Sequence, residues 1–197
     1  MNAGRWARGA QVELVGTGYR YTLAVVATTF AAFASMTMIF RQVFGGHVTK
    51  LDSFVVRTII QLGFLSTLAS LLPPLLAQFE IAPAANWRAS SVVLAVLLGL
   101  WSFTFPRRRN AASPIRAPTQ IRCVIVVLDI DVLALAANAI FPLPALAVGI
   151  YSTAATVVLI SGATLFLFSL IFLFERPLET VHPGPRTVRR GPKAKKP

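Results

Sequence analysis

Five polar side chains interrupt long apolar stretches of this sequence: Arg57, Gln61, Asp129, Asp131 and Asn138. A carboxylate in an apolar run can carry a proton or a cation, and a nearby arginine can hold it as an ion. The set therefore has the residue types of an intramembrane proton or ion path. Arg57 and Gln61 are four residues apart and share a helix face; Asp131 and Asn138, seven apart, are nearly aligned on another. Asp129 and Asp131 stand about 200° apart around a helix, so they address different neighbours and do not form a shared-proton dyad. At about 1.5 Å per residue, Arg57 lies roughly 4.5 Å beyond Phe54 and Asp129 roughly 9 Å beyond Cys123. If their segments enter the membrane from the same side, a long arginine side chain can reach an aspartate. The plainer expectation is a structural ion pair near the interface, or an arginine that snorkels to headgroups; the functional alternative is transport.

Other chemistries find no footing. His47 and His182 both lie in hydrophilic segments, so they cannot face each other across a haem from two apolar helices. Cys123 is the single cysteine, which excludes an intrachain disulfide and a multi-cysteine metal site. No HExxH, P-loop, GxSxG or CxxC pattern occurs. Gly45, Gly46, Gly16 and Gly18 read as turn glycines rather than a phosphate cradle. No motif identifies a family, and the expectation is a chain with no cofactor, no metal and no enzymatic activity.

The elements that must position these groups follow from composition. Of 197 residues, 55% are hydrophobic and 13% charged, and the mean hydropathy is +0.68. That is the profile of a membrane protein, with no stretch left for a separate soluble domain. The expected fold is an all-α polytopic membrane bundle: a short N-terminal segment (1–20), a transmembrane helical domain (21–174) and a disordered, basic, proline-rich tail (175–197). The apolar stretches predict helices at 21–40, 53–79, 89–105, 121–141 and 145–174.

Details of these stretches matter. The first carries a small-residue stripe, Ala24, Thr28, Ala31 and Ser35, suited to close helix packing. Its competing reading is a signal peptide with Ala32-Phe33-Ala34 at the cleavage site, disfavoured because Met36 to Phe40 stays apolar. The second starts after Asp52-Ser53, read as the N-cap, and meets Pro73-Pro74, which end or kink the helix. In the fourth, twelve Ile, Leu, Val and Phe residues contribute about −4 to −7 kcal/mol to insertion, while two central aspartates cost about +5 to +7. That segment needs help from a neighbour.

A net charge of +12 would suggest nucleic acid in a soluble protein. Here the charges sit in short connections and the tail, where they set topology and meet anionic lipid headgroups, so no nucleic-acid partner is expected. Headgroup contacts are expected from Arg107, Arg108, Arg109, Arg189, Arg190, Lys193, Lys195 and Lys196. Fifteen arginines against four lysines, with abundant Ala and Pro, point to a GC-rich bacterial genome and hence an inner membrane. Five crossings with the N-terminus outside leave fourteen positive residues in the cytoplasm and four outside. Four crossings plus a re-entrant second stretch give fifteen and three, so charge alone does not separate the two. Five is preferred because the second stretch is long enough to span.

The expected function is that of a small accessory or assembly subunit of a membrane complex, with a protein partner or a second copy beside it in the bilayer. The alternative is a proton- or ion-coupled transporter or channel subunit using Asp129, Asp131 and Arg57. Reporter fusions at Gly4 and Pro192 test the topology: they should report opposite compartments, and two cytoplasmic signals would contradict five crossings.

Overall fold

In hydrocarbon a backbone that cannot reach water must hydrogen-bond to itself. The computed structural model describes residues 17–43, 49–113, 118–141 and 144–175, and these solve the problem with helices. They form α1 (Thr17–Val43), α2 (Lys50–Ala77), α3 (Pro83–Ala112), α4 (Thr119–Ile140) and α5 (Pro144–Glu175), with no strand among the described residues. Each of the five is long and apolar enough to cross a membrane. Large apolar side chains such as Phe33, Phe64, Val96, Leu133 and Leu167 face outward, a surface suited to lipid rather than water. Outward hydroxyls are settled locally: Thr29, Thr37 and Thr164 each donate to the carbonyl one turn back, at 2.8, 3.0 and 2.8 Å.

Helix ends depart from the apolar runs because caps, not hydropathy, set them. α2 starts earlier than Asp52-Ser53 suggests. Its N-cap is Thr49, whose side chain accepts from the Asp52 N–H at 3.2 Å while the Asp52 carboxylate accepts from the Thr49 N–H at 2.9 Å. Asp52 is thus the far half of a capping box. α2 then runs through Pro73 and Pro74 to Ala77 as one helix of 28 residues, about 42 Å long. No re-entrant turn is formed. α3 opens on Pro83, where a missing N–H costs nothing, and continues past Pro106 to Ala112, drawing Arg107, Arg108 and Arg109 into helix. α1 begins before Arg20, so that residue lies inside the helix.

α2, α3, α4 and α5 form a ring in which each packs on the next and α5 closes back on α2; α1 lies outside, mainly against α2. That outer seam depends on small residues. Ala24, Ala27, Ala31 and Ala34 of α1 are buried, and a Cβ on Gly63 of α2 would stand 2.9 Å from the Ala31 Cβ and 3.2 Å from the Ala27 carbonyl oxygen. Thr28 sits at the margin, its hydroxyl 3.2 Å from that of Thr67, and Ser35 bonds back to Ala31 at 2.9 Å. The small-residue stripe therefore packs within the chain.

This seam makes a direct prediction. Gly63→Leu should lower the unfolding free energy in mild detergent by about 1–3 kcal/mol or more, because neither backbone can retreat from the added side chain. Gly63→Ala should be milder and should recover when Ala31→Gly reopens the gap. A Gly63→Leu protein as stable as wild type would contradict the close approach.

Candidate functional site

The inner face of α4 is a seven-residue pattern: Val124, Leu128, Asp131, Leu135 and Asn138 are its buried residues. Two apolar clusters fill the ring, and Asp131 falls where they meet. Leu128 joins Leu62, Leu98 and Val158 in one cluster, whereas Leu135 joins Ala69, Leu94 and Tyr151 in the other. On α2 the same junction falls at Ser66, whose hydroxyl donates to the Ala155 carbonyl at 3.3 Å. Asp131 is only 7% exposed, and its Oδ2 is buried without a hydrogen-bond partner. Asn138, one pattern repeat along, donates from Nδ2 to Ser91 Oγ at 2.9 Å and to the Ala147 carbonyl at 3.3 Å. It ties α4 to α3 and α5. The alignment of Asp131 with Asn138 that their spacing implies is present.

Asp129 faces the other way. It is exposed, midway along α4, and its Oδ1 accepts a hydrogen bond from Ser102 of α3. The two aspartates thus occupy different environments, one in the ring and one on its outer wall, as their angular separation requires.

The expected pairing of Arg57 with an aspartate is not formed. α2 and α4 sit opposite each other in the ring and do not pack together; α3 and α5 lie between them. Among the described residues no ion pair joins Arg57 to Asp129 or Asp131. Arg57 instead shares a cleft with Lys50, Gln61 and Arg108 at the opposite end of the bundle from Asn138. Gln61 Oε1 accepts from Arg108 Nη1 at 2.8 Å and from Trp101 Nε1 at 3.2 Å. The five candidate residues therefore divide into three separate places.

The three consecutive arginines also divide. Arg107 is exposed and lies over Phe103 at 5.6 Å, an orientation open to headgroups. Arg108 turns into the cleft. Arg109 is 8% exposed, and its Nε is buried without a hydrogen bond, so it faces into the bundle. Helical rotation of about 100° per residue is the cause. The tail residues Arg189, Arg190, Lys193, Lys195 and Lys196 lie outside the described residues, as do His47, His182, Gly16, Gly45 and Gly46.

The most connected polar layer was not among the candidates. Pro73 has no N–H, which frees the carbonyl four residues earlier, that of Ala69. The Tyr151 hydroxyl of α5 donates to that carbonyl at 2.7 Å. Asn86 of α3 donates to the Pro73 carbonyl at 2.9 Å and accepts from Ser90 at 3.3 Å. Trp87, beside Asn86, packs on Tyr151 with ring centroids 5.6 Å apart, and Arg20 of α1 stacks over Trp87 at 4.1 Å. At the same end Arg88 donates to the Ala139 carbonyl in the last turn of α4 at 3.1 Å. One signal pointed here: an intrahelical proline demands a donor, and Tyr151 is a tyrosine well inside an apolar helix.

Among the described residues no three His, Cys, Asp or Glu side chains converge as metal ligands. No family model, no curated protein and no solved structure matches the chain. The chemistry available is that of two isolated carboxylates, one in the ring and one toward lipid, and of a cationic cleft at one end.

Proposed function

We propose that this chain is a non-enzymatic membrane subunit that assembles with a second membrane protein through the outer wall of α3 and α4. Asp129 carries the reading. It stands midway along α4, exposed where the neighbouring outward residues are Val126, Ile130 and Leu133. An aspartate at the centre of a spanning helix costs about 2.5–3.5 kcal/mol on insertion. One serine hydroxyl does not satisfy a carboxylate with about four acceptor positions, and lipid chains offer no donor. A partner helix bringing an arginine, a lysine or an amide to this depth would supply what is missing, which makes the costly residue a recognition element. Orientation in a bacterial inner membrane with a cytoplasmic C-terminus follows from the arginine-rich connections and belongs to the same proposal.

A second reading rests on Asp131. A buried carboxylate whose Oδ2 has no hydrogen-bond partner, at the junction of the two core clusters, is suited to binding and releasing a proton. In this form the transport alternative no longer includes Arg57.

One set of variants separates the two. A photocrosslinker at Leu133 in native membranes should join the chain to a second protein, and Asp129→Leu should abolish that product. The unassembled Asp129→Leu chain should accumulate at least as well as wild type, because the insertion cost has been removed. A crosslink insensitive to Asp129→Leu, or no product at all, would contradict the assembly reading, and a product with a second copy would replace the partner by a homo-oligomer. The transport reading instead requires proton or cation flux in liposomes that Asp131→Asn eliminates; silent wild-type liposomes would refute it.

A further inference from the structure

A cleft of about 300 Å³ opens between the start of α2 and the end of α3, lined by Lys50, Ser53, Phe54, Arg57, Thr58, Gln61, Arg108 and Ala111. Three of its lining residues are cations and none is acidic. Asp52, in the same first turn of α2, has its carboxylate engaged in the capping box with Thr49. We propose that this cleft binds a phosphate group, presented either by an anionic lipid headgroup or by a soluble phosphate.

Preorganisation is the first argument. Arg108 donates through Nη1 to Gln61 at 2.8 Å and through Nη2 to the Trp101 carbonyl at 3.2 Å, with its guanidinium 5.7 Å from the Trp101 ring. Trp101 Nε1 in turn fixes Gln61 at 3.2 Å. Arg108 is thus held from three sides on α3, while Arg57 comes to the same cleft from α2. Two guanidiniums from different helices repel unless an anion lies between them. Phosphate suits this arrangement, because its oxygens accept the paired N–H groups of arginine and the point charge of lysine together.

Backbone and depth add to the case. Lys50 is the first residue of α2, so the positive end of that helix dipole borders the cleft. Ser53 and Thr58 add hydroxyls. Arg57 lies roughly 10 Å along α2 from its start, and Arg108 is in the last turns of α3, which puts the cleft near one end of the bundle, where long cationic side chains can extend toward the interface. Phe54 in its lining packs on Phe105 of α3, with ring centroids 5.4 Å apart, and gives the cleft an apolar wall. This site is independent of Asp129 and of any protein partner.

The test is the melting temperature of the full chain in zwitterionic detergent, titrated with phosphatidylglycerol, with phosphatidylcholine, or with inorganic phosphate against chloride of equal ionic strength. Wild type should show a saturable rise with phosphatidylglycerol, with phosphate, or with both. Phosphatidylglycerol alone would name the lipid as source; a response to phosphate would name the soluble anion. Arg57→Gln should weaken the response about tenfold, the loss expected for one charge-assisted hydrogen bond, and Lys50→Gln several-fold. Both residues are exposed, so both variants should fold. Arg122→Gln removes the same charge from the exposed first turn of α4, at the same end of the bundle but outside the cleft, and should leave the response intact. No rise beyond the phosphatidylcholine and chloride controls would overturn the proposal. So would a full response in Arg57→Gln, or an equal loss in Arg122→Gln.

Discussion

The hydrogen bond from Tyr151 to the Ala69 carbonyl is the constraint on which the bundle turns. Pro73 removes the donor that this carbonyl would meet in an uninterrupted helix, and in hydrocarbon an unsatisfied backbone carbonyl costs several kcal/mol. α2 can continue past its paired prolines because α5 supplies the missing donor from the side. Asn86 then fixes the start of α3 to the same break, and Arg20 of α1 closes the layer over Trp87. The proline pair that could have ended α2 is where three other helices register against it.

The remaining polar residues can be understood from that registration. With α5 held to α2 and α3 beside both, α4 can only complete the ring opposite α2. Asp131 and Asn138 then face inward and Asp129 outward. Arg57, at the other end, is left with Arg108 and no carboxylate. Each charge meets a different solvation problem: inside the ring with little around it to bond, on the outer wall toward lipid, or in a cleft with other cations. The proposed protein contact at Asp129 and the proposed phosphate in the cleft each answer one of these problems with a group from outside the chain.

Much of the fold was legible in the sequence, and for a physical reason. Hydrocarbon imposes a length and a composition on anything that spans it, so five apolar stretches read directly as five helices. Their ends were less legible because a hydropathy run stops at the first charge, whereas a helix stops where its orphan groups find partners. Thr49 caps α2 ahead of Asp52, and α3 carries the arginines beyond Pro106. Spacing on a single helix was also informative: Asp131 and Asn138 share a face, and Asp129 does not. Adjacency between helices was not encoded in that way. The pairing of Arg57 with an aspartate needed α2 beside α4, and matching depth cannot distinguish a neighbour from a helix across the ring. The role of Tyr151 is not legible from its own helix, because it exists only in relation to a proline on another.

The central claim, that Tyr151 serves the carbonyl Pro73 releases, is tested most directly by a double-mutant cycle. Unfolding free energies in mild detergent would be measured for wild type, Tyr151→Phe, Pro73→Ala and the pair. With proline at 73, losing the hydroxyl should cost about 1–3 kcal/mol, the range for orphaning a buried polar group. With alanine at 73 the backbone N–H can reach the Ala69 carbonyl, so the cost of Tyr151→Phe should fall below about 0.5 kcal/mol, leaving a clear coupling between the two sites. Equal costs of Tyr151→Phe in both backgrounds would contradict the account.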